Sequence, residues 1–224
     1  MDDDIDLAFD PALEKPPRIA IVRAEGLETR QSATAGPAVA ALLERVRAGG
    51  EGWFGPARKA AVRDMLRHGA YKPAGRSKPS SEYLLAAALE GDFPLVNGPV
   101  DANNAASLAY GYPASIFDFA KSGPELLLRR GRKGDSYVFN PSGQSIDLED
   151  LLCVWKPAGG DWLPIGNPVK DAMLTKVFEG CASIVALVYA PAGPEGGDLE
   201  ACAEFFASIL RDECGATSST WRLA

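Results

Sequence analysis

Residues 96–104 read Val-Asn-Gly-Pro-Val-Asp-Ala-Asn-Asn, and this stretch decides how the middle of the chain is interpreted. The Gly-Pro pair predicts a break in any longer element, and Asp101 is predicted to cap a helix over residues 102–109. Four amide and carboxylate side chains stand within eight residues: Asn97, Asp101, Asn103 and Asn104. Because such groups are costly to bury unpaired, they either hold a turn together or line a polar pocket.

On the amino-terminal side of this stretch, the sequence predicts one short strand followed by three helices. Residues 18–23, Arg-Ile-Ala-Ile-Val-Arg, are predicted to form a buried strand. Apolar residues at helical spacing, with proline near the start or glycine at the stop, predict helices over residues 37–48, 57–68 and 79–91.

On the carboxy-terminal side, the pattern changes to short apolar runs separated by turn residues. Strands are predicted over residues 125–130, 137–139, 145–148, 151–155 and 183–189. Asp198 is predicted to cap a last amphipathic helix, which Gly215 closes. Helices followed by strands and one further helix predict an α+β fold of layered helices and mainly antiparallel strands.

The charge of the chain is acidic at its ends and mildly basic in between. The 224 residues carry a net charge of −7, made up of −6 in the first fourteen residues, +3 over residues 15–194 and −4 from Glu195 onward. We therefore predict three segments: a flexible acidic tail over residues 1–16, one domain over residues 17–215 and a carboxy-terminal tail over residues 216–224.

Several classes of protein are excluded or disfavoured by residue usage. His68 is the single histidine, so a metal site that needs two histidines is impossible, and we expect neither a metal nor a cofactor. The four cysteines form no CxxC pair, which favours reduced thiols in a cytoplasmic protein. No apolar run approaches the roughly 20 residues that a membrane span requires.

Basic residues cluster in two places outside the acidic ends. Lys59, Arg63 and Arg67 are spaced by four and so share one face of a helix. This face is either simply solvated or binds RNA phosphates. The residues predicted to contact RNA are Lys59, Arg63, Arg67, Arg76, Lys78, Arg129 and Arg130.

Three motifs together resemble a known family. Residues 78–85 (KPSSEYLL), 96–104 and 111–118 (GYPASIFD) resemble the tRNA-editing (B3/B4) domain of the bacterial phenylalanyl-tRNA synthetase beta subunit, and more closely its free-standing single-domain relatives. Residues 146–152 fit a later stretch of the same domain, so the resemblance covers about residues 18–214.

The resemblance implies a fold, an activity and a set of site residues. The family removes a wrongly attached amino acid from tRNA by ester hydrolysis, in a polar pocket without a metal. Asn104 falls where the family has its pocket asparagine, whereas Asn103 and Ser115 stand where threonine and histidine are usual. The resemblance thus implies three catalytic residues, Asn103, Asn104 and Ser115. The substrate-binding residues expected around them are Asn97, Asp101, Asp118 and Asp171.

Three functions remain open from the sequence. The first is an aminoacyl-tRNA deacylase acting in trans on the aminoacylated 3′ end of a mischarged tRNA. The second is a non-catalytic RNA- or tRNA-binding module with the same fold. The third is a protein that binds a small, amino-acid-like molecule, which the acidic pI of about 4.9 favours. None of the three implies DNA or a membrane as partner, and the sequence does not specify an oligomeric state.

Overall fold

A computed structural model of the chain describes residues 5–224. Within that range the helices are α1 (Pro37–Gly49), α2 (Pro56–Leu66), α3 (Ser80–Glu90), α4 (Gly98–Tyr110), α5 (Phe119–Ser122) and α6 (Leu199–Glu213). The strands are β1 (Asp6–Phe9), β2 (Arg18–Glu25), β3 (Ala114–Asp118), β4 (Glu125–Arg130), β5 (Ser136–Val138), β6 (Ser145–Asp147), β7 (Leu152–Ala158), β8 (Asp161–Gly166), β9 (Ser183–Ala190) and β10 (Ser218–Leu223).

The central layer is an antiparallel sheet with strand order β10-β2-β9-β3. From Ile184 to Ala190, β9 is buried at every residue, which fits its almost continuous apolar sequence. Helices α4 and α6 pack against each other and against this sheet. The apolar stripe of α6, which includes Phe206 and Leu210, is fully buried.

A second sheet has strand order β1-β4-β7-β8, in which β1 runs parallel to β4 and the other neighbours are antiparallel. Trp155 on β7 is among its largest buried side chains. Strands β5 and β6 form a separate hairpin. The α+β prediction with mainly antiparallel strands is therefore confirmed, and the chain after α4 is indeed rich in strands.

Both chain ends differ from the predicted tails. Strand β1 pairs with β4, and Ile5 just before it is only 3% exposed. Strand β10 pairs along its whole length with β2. The segments predicted as tails, residues 1–16 and 216–224, thus contain the strands β1 and β10, because short alternating apolar residues near each end join a sheet edge. Residues 1–4 of the predicted acidic tail lie outside the described residues.

The start of α4 also corrects a prediction. The Gly-Pro pair begins the helix instead of breaking an element, since proline in a first turn gives up no helical hydrogen bond. Asn97, not Asp101, is the N-cap, and its Oδ1 accepts a hydrogen bond from the Val100 N–H at 3.2 Å. Asp101 lies in the first turn, where its carboxylate accepts from the Val96 N–H at 2.7 Å and from the Ser32 hydroxyl.

Candidate active site

A cleft of about 390 Å³ opens beside the amino-terminal half of α4. Helix α3, strand β3 and residues 169–178 form its other walls. Its polar lining consists of Ser80, Asn103, Asn104, Lys170, Asp171 and Lys176. Its apolar lining includes Tyr83, Val96, Ile116, Met173, Val177 and Phe178. We call this space the cleft.

The four polar residues of the α4 region divide into two pairs with different roles. Asn97 and Asp101 bind backbone at the helix start, as described above, and Asn97 also donates to the carbonyl of Val177 at 3.1 Å. Asn103 and Asn104 instead line the cleft. The two alternatives that the sequence left open, a braced turn and a polar pocket, are therefore both present, each formed by two of the residues.

Asn103 is buried, and its side-chain carbonyl oxygen accepts no hydrogen bond from the described residues. Its side chain lies in the cleft wall at 4% exposure, and its Oδ1 has no hydrogen-bond partner within residues 5–224. A buried acceptor left unpaired costs about 1–3 kcal/mol. Asn104, the next residue, is partly exposed. The helix thus carries a polar group that the fold itself does not need at this position.

Asp171 fixes one wall of the cleft to the central sheet. Its Oδ2 accepts a hydrogen bond from the Ile116 N–H of β3 at 3.0 Å. Its Oδ1 has no partner among the described residues and lies so close to Gly166 that a Cβ there would be 2.5 Å away. Burial raises the pKa of this carboxyl to about 7, although the Ile116 hydrogen bond and nearby Lys176 oppose that shift.

Lys176 places a cation in the cleft wall. Its ammonium group donates to the carbonyl of Phe139 at 2.5 Å. Burial lowers the pKa of Lys176, whereas the Asp171 carboxylate acts in the opposite direction. The cleft therefore brings a cation and a carboxyl group together with two amides.

Four of the predicted site residues lie outside the cleft lining: Asn97 and Asp101, described above, and Ser115 and Asp118. The Ser115 side chain has no exposed surface; its Oγ donates to the carbonyl of Asn167 at 3.2 Å and accepts from the Tyr189 hydroxyl at 3.0 Å. Asp118 caps α5 by accepting from the Ala120 N–H at 3.1 Å. Of the seven predicted site residues, the cleft brings together three: Asn103, Asn104 and Asp171.

The predicted basic face of α2 is largely neutralised by the chain itself. Arg63 forms two 2.6 Å hydrogen bonds to the carboxylate of Glu82, whose side chain is 9% exposed. Lys59 lies 3.5 Å from the same carboxylate, and Arg67 lies 3.6 Å from Asp64. These cations have carboxylate partners within the fold.

The second basic cluster is also engaged in the fold. The Arg130 guanidinium donates to the carbonyls of Leu66 and Asp150 at 3.2 and 2.9 Å. Arg129 lies over the ring of Trp155 at 3.8 Å. Arg76, from the first cluster, is exposed on a single 3₁₀ turn.

The sequence did not single out Lys170, Lys176, Tyr83 or Phe178 as site residues. Lys170 and Lys176 lie on an irregular segment with no periodic pattern, and Tyr83 and Phe178 are ordinary aromatic residues in sequence. Only the fold shows that they line the same cleft. One available signal was the Lys-Asp pair at positions 170 and 171, in a stretch without apolar periodicity.

Residues 5–224 contain neither a cluster of metal-ligating side chains nor a helix that could span a membrane. No group of three or more histidine, cysteine, aspartate or glutamate side chains there is arranged to hold a metal ion. None of the helices in this range combines the length and apolar character needed to cross a bilayer.

Comparison with solved structures finds a similar fold. The chain is similar to the crystal structure of an N-terminal fragment of the phenylalanyl-tRNA synthetase beta subunit from Pyrococcus horikoshii, with a TM-score of 0.51 and 10% sequence identity. The match covers 97% of this chain and 50% of that one, so the chain spans about half the length of the fragment. At this identity the similarity concerns the fold alone. No protein-family model and no curated protein sequence matches the chain.

Proposed function

We propose that the protein hydrolyses the ester that joins an amino acid to the 3′ end of a tRNA, acting in trans on mischarged molecules. The observation that carries this proposal is the cleft, where Asn103, Asn104 and Lys176 line the same largely apolar recess. The similarity in fold to a fragment of a tRNA synthetase subunit supports the same direction.

The proposed reaction is the attack of a water molecule on the ester carbonyl carbon. The carbonyl oxygen becomes an oxyanion; when this intermediate collapses, the bond from carbon to the ribose oxygen breaks, the ribose oxygen takes up a proton lost by the attacking water, and a free amino acid and a terminal hydroxyl result. Amide N–H groups and nearby cations stabilise such an oxyanion. The Asn104 amide and the Lys176 ammonium group both line the cleft and are the donors proposed for the oxyanion, and the Asn103 carbonyl is the acceptor proposed for the water.

The dimensions of the cleft suit a small acyl group. About 390 Å³ falls at the lower end of the range of small-molecule pockets. The apolar residues Ile116, Met173 and Val177 supply a surface for an amino-acid side chain. Ser115 has no place in this proposal, since its hydroxyl is enclosed by protein.

The test is a panel of tRNAs that are each charged with a labelled, wrong amino acid. We expect the wild-type protein to release label from at least one of them faster than spontaneous hydrolysis. We expect Asn104→Ala to reduce that rate by at least tenfold at unchanged melting temperature, because Asn104 is only partly buried. The matched control is Thr220→Ala, an exposed polar residue on edge strand β10, which should leave the rate unchanged.

The outcomes separate the three candidate functions. No release from any charged tRNA, together with RNA binding, would overturn the hydrolase and leave an RNA-binding module. No release and no RNA binding, with uptake of a free amino acid, would leave a small-molecule binder. An Asn104→Ala variant as active as wild type would show that the cleft is not the site of reaction.

A further inference from the structure

We infer that the unpaired 3′ strand of an RNA enters the cleft across three lysine–aromatic pairs at its mouth, which we call the rim. The pairs are Lys78 with Tyr83, Lys121 with Phe178, and Lys170 with Phe139. The inference builds on the proposed function, since it names the surface that delivers the substrate. It replaces the basic face of α2 as the expected RNA contact.

Each pair of the rim borders the cleft. The Lys170 ammonium lies 3.8 Å from the centroid of the Phe139 ring, and Lys170 itself lines the cleft. The Lys121 and Lys78 ammonium groups lie 5.2 and 6.0 Å from the rings of Phe178 and Tyr83, which both line the cleft. Each pair thus contributes one residue to the cleft lining, and the three pairs come from different parts of the chain.

Two of the three aromatic members, Tyr83 and Phe178, are exposed in a way that the fold does not explain, whereas Phe139 is partly buried. Tyr83 is 55% exposed and Phe178 is 48% exposed, and both are among the large apolar side chains left open to solvent. Aromatic rings at the mouth of a cleft offer platforms on which unstacked bases stack, and this contact is tolerant of sequence.

The charges at the rim complement a phosphate backbone. Within the described chain, Lys170 has no carboxylate within 4.0 Å, while Lys121 is paired with Asp118 at 2.8 Å. By contrast, Arg63 on α2 is bound in two places by Glu82. Among the described residues, Lys78 likewise has no carboxylate within 4.0 Å. An anion can therefore bind Lys170 or Lys78 without displacing a carboxylate partner, whereas at Arg63 it would have to displace Glu82.

The arrangement favours a single strand over a duplex. A base can stack on Tyr83 or Phe178 only when it is free of its own neighbours, as in single-stranded ends and loops. The cleft beyond the rim is a recess and not a flat groove that would follow a helix. An unpaired 3′ terminus fits both features.

The experiment measures binding of a fluorescently labelled single-stranded RNA by anisotropy, with the same RNA annealed to its complement as comparison. The double variant Tyr83→Ala/Phe178→Ala should weaken binding by at least tenfold through lost stacking. Lys170→Ala should weaken it about two- to fivefold and reduce the salt slope by about one. The controls Arg67→Ala and Lys133→Ala remove exposed cations outside the rim and should bind as wild type does.

Two results would overturn the inference: rim variants that bind as tightly as wild type, or a duplex that binds more tightly than the single strand. Because the assay contains no ester, it is independent of hydrolysis. RNA bound through the rim without ester release would leave the inference standing and remove the hydrolase. If the protein releases the ester but the rim variants bind RNA as tightly as wild type, the hydrolase proposal stands and the rim inference is overturned.

Discussion

The basic face of α2 and the cleft beside α4 differ in whether their polar groups have partners within the fold. On α2, Arg63 and Lys59 share the carboxylate of Glu82. In the cleft, Asn103 and Asp171 each keep a buried oxygen with no partner in residues 5–224. The α2 cations resemble an RNA-binding face in sequence, but in the fold they form stabilising ion pairs. The amide of Asn103 and the carboxyl of Asp171 instead keep oxygens that are unpaired among the described residues, at a cleft where a ligand could bind. Substitutions in the two regions should therefore change stability in opposite directions.

The largest effect on stability is expected at Arg63. Arg63→Ala removes two charge-assisted hydrogen bonds and leaves the mostly buried Glu82 carboxylate with Lys59 at 3.5 Å. We expect a loss of about 2 kcal/mol in the free energy of unfolding, measured by urea denaturation. RNA affinity should stay as in wild type, and a marked loss of RNA binding would contradict the contrast between α2 and the rim.

The next effect depends on pH and concerns Asp171. The pKa of this carboxyl is raised to about 7, so the folded state holds a proton that the unfolded state releases near pH 4. The contribution of the protonated carboxyl to the free energy of unfolding is fully present below about pH 4, and it is lost as the pH rises through the folded-state pKa of about 7. Asp171→Asn should thus gain on wild type between pH 5 and pH 8, by on the order of 1–2 kcal/mol. The measurement is thermal unfolding of both proteins across this range; a constant difference would refute it.

A smaller gain is expected at Asn103. Asn103→Leu replaces a buried amide, whose oxygen is unpaired, with an apolar side chain of similar size. We expect the free energy of unfolding to rise by about 1 kcal/mol and ester hydrolysis to fall. Denaturant titration and the deacylation assay check the two parts. If the variant is clearly less stable than wild type, the amide is satisfied in a way that this account does not include.

The smallest effect is expected at Lys59, which faces the same carboxylate as Arg63. Its side chain is half exposed and its contact with Glu82 is longer, at 3.5 Å. Lys59→Ala should cost no more than about 0.5 kcal/mol, as is usual for exposed ion pairs. Comparison of its denaturation curve with that of Arg63→Ala tests whether geometry and burial, and not charge alone, set the stability of this face.

The sequence predicted the layered α+β fold because most of its helices and strands carry strong apolar patterns. It missed β3 because all five residues of Ala114–Asp118 are buried, which leaves no alternation to read. It missed β1 and β10 because short edge strands with polar residues resemble tails. At the site, the cluster of Asn97, Asp101, Asn103 and Asn104 was visible in sequence. Which of them bind backbone at the helix start and which line the cleft depends on where α4 begins, and that start was not predicted correctly from the sequence.

Of the rim, the sequence predicted only Lys78 as an RNA contact, and the rest could not be predicted, for a physical reason. Its lysines lie before α3, on α5 and after β8, and they meet only because the fold brings these segments to one opening. Counting charges along the chain instead highlights α2, where consecutive cations are close in sequence. Sequence spacing reports which side chains share a helix face, but it does not report which carboxylates from elsewhere neutralise them.

The most direct test of the central claim is a crystal structure with an aminoacyl-adenosine in which an amide replaces the ester, so that it resists hydrolysis. The account predicts that the acyl group occupies the cleft, with its carbonyl oxygen within hydrogen-bond distance of Asn104, and that the adenine stacks on Tyr83 or Phe178. An analogue bound against α2, or an empty cleft at saturating concentration, would contradict the account.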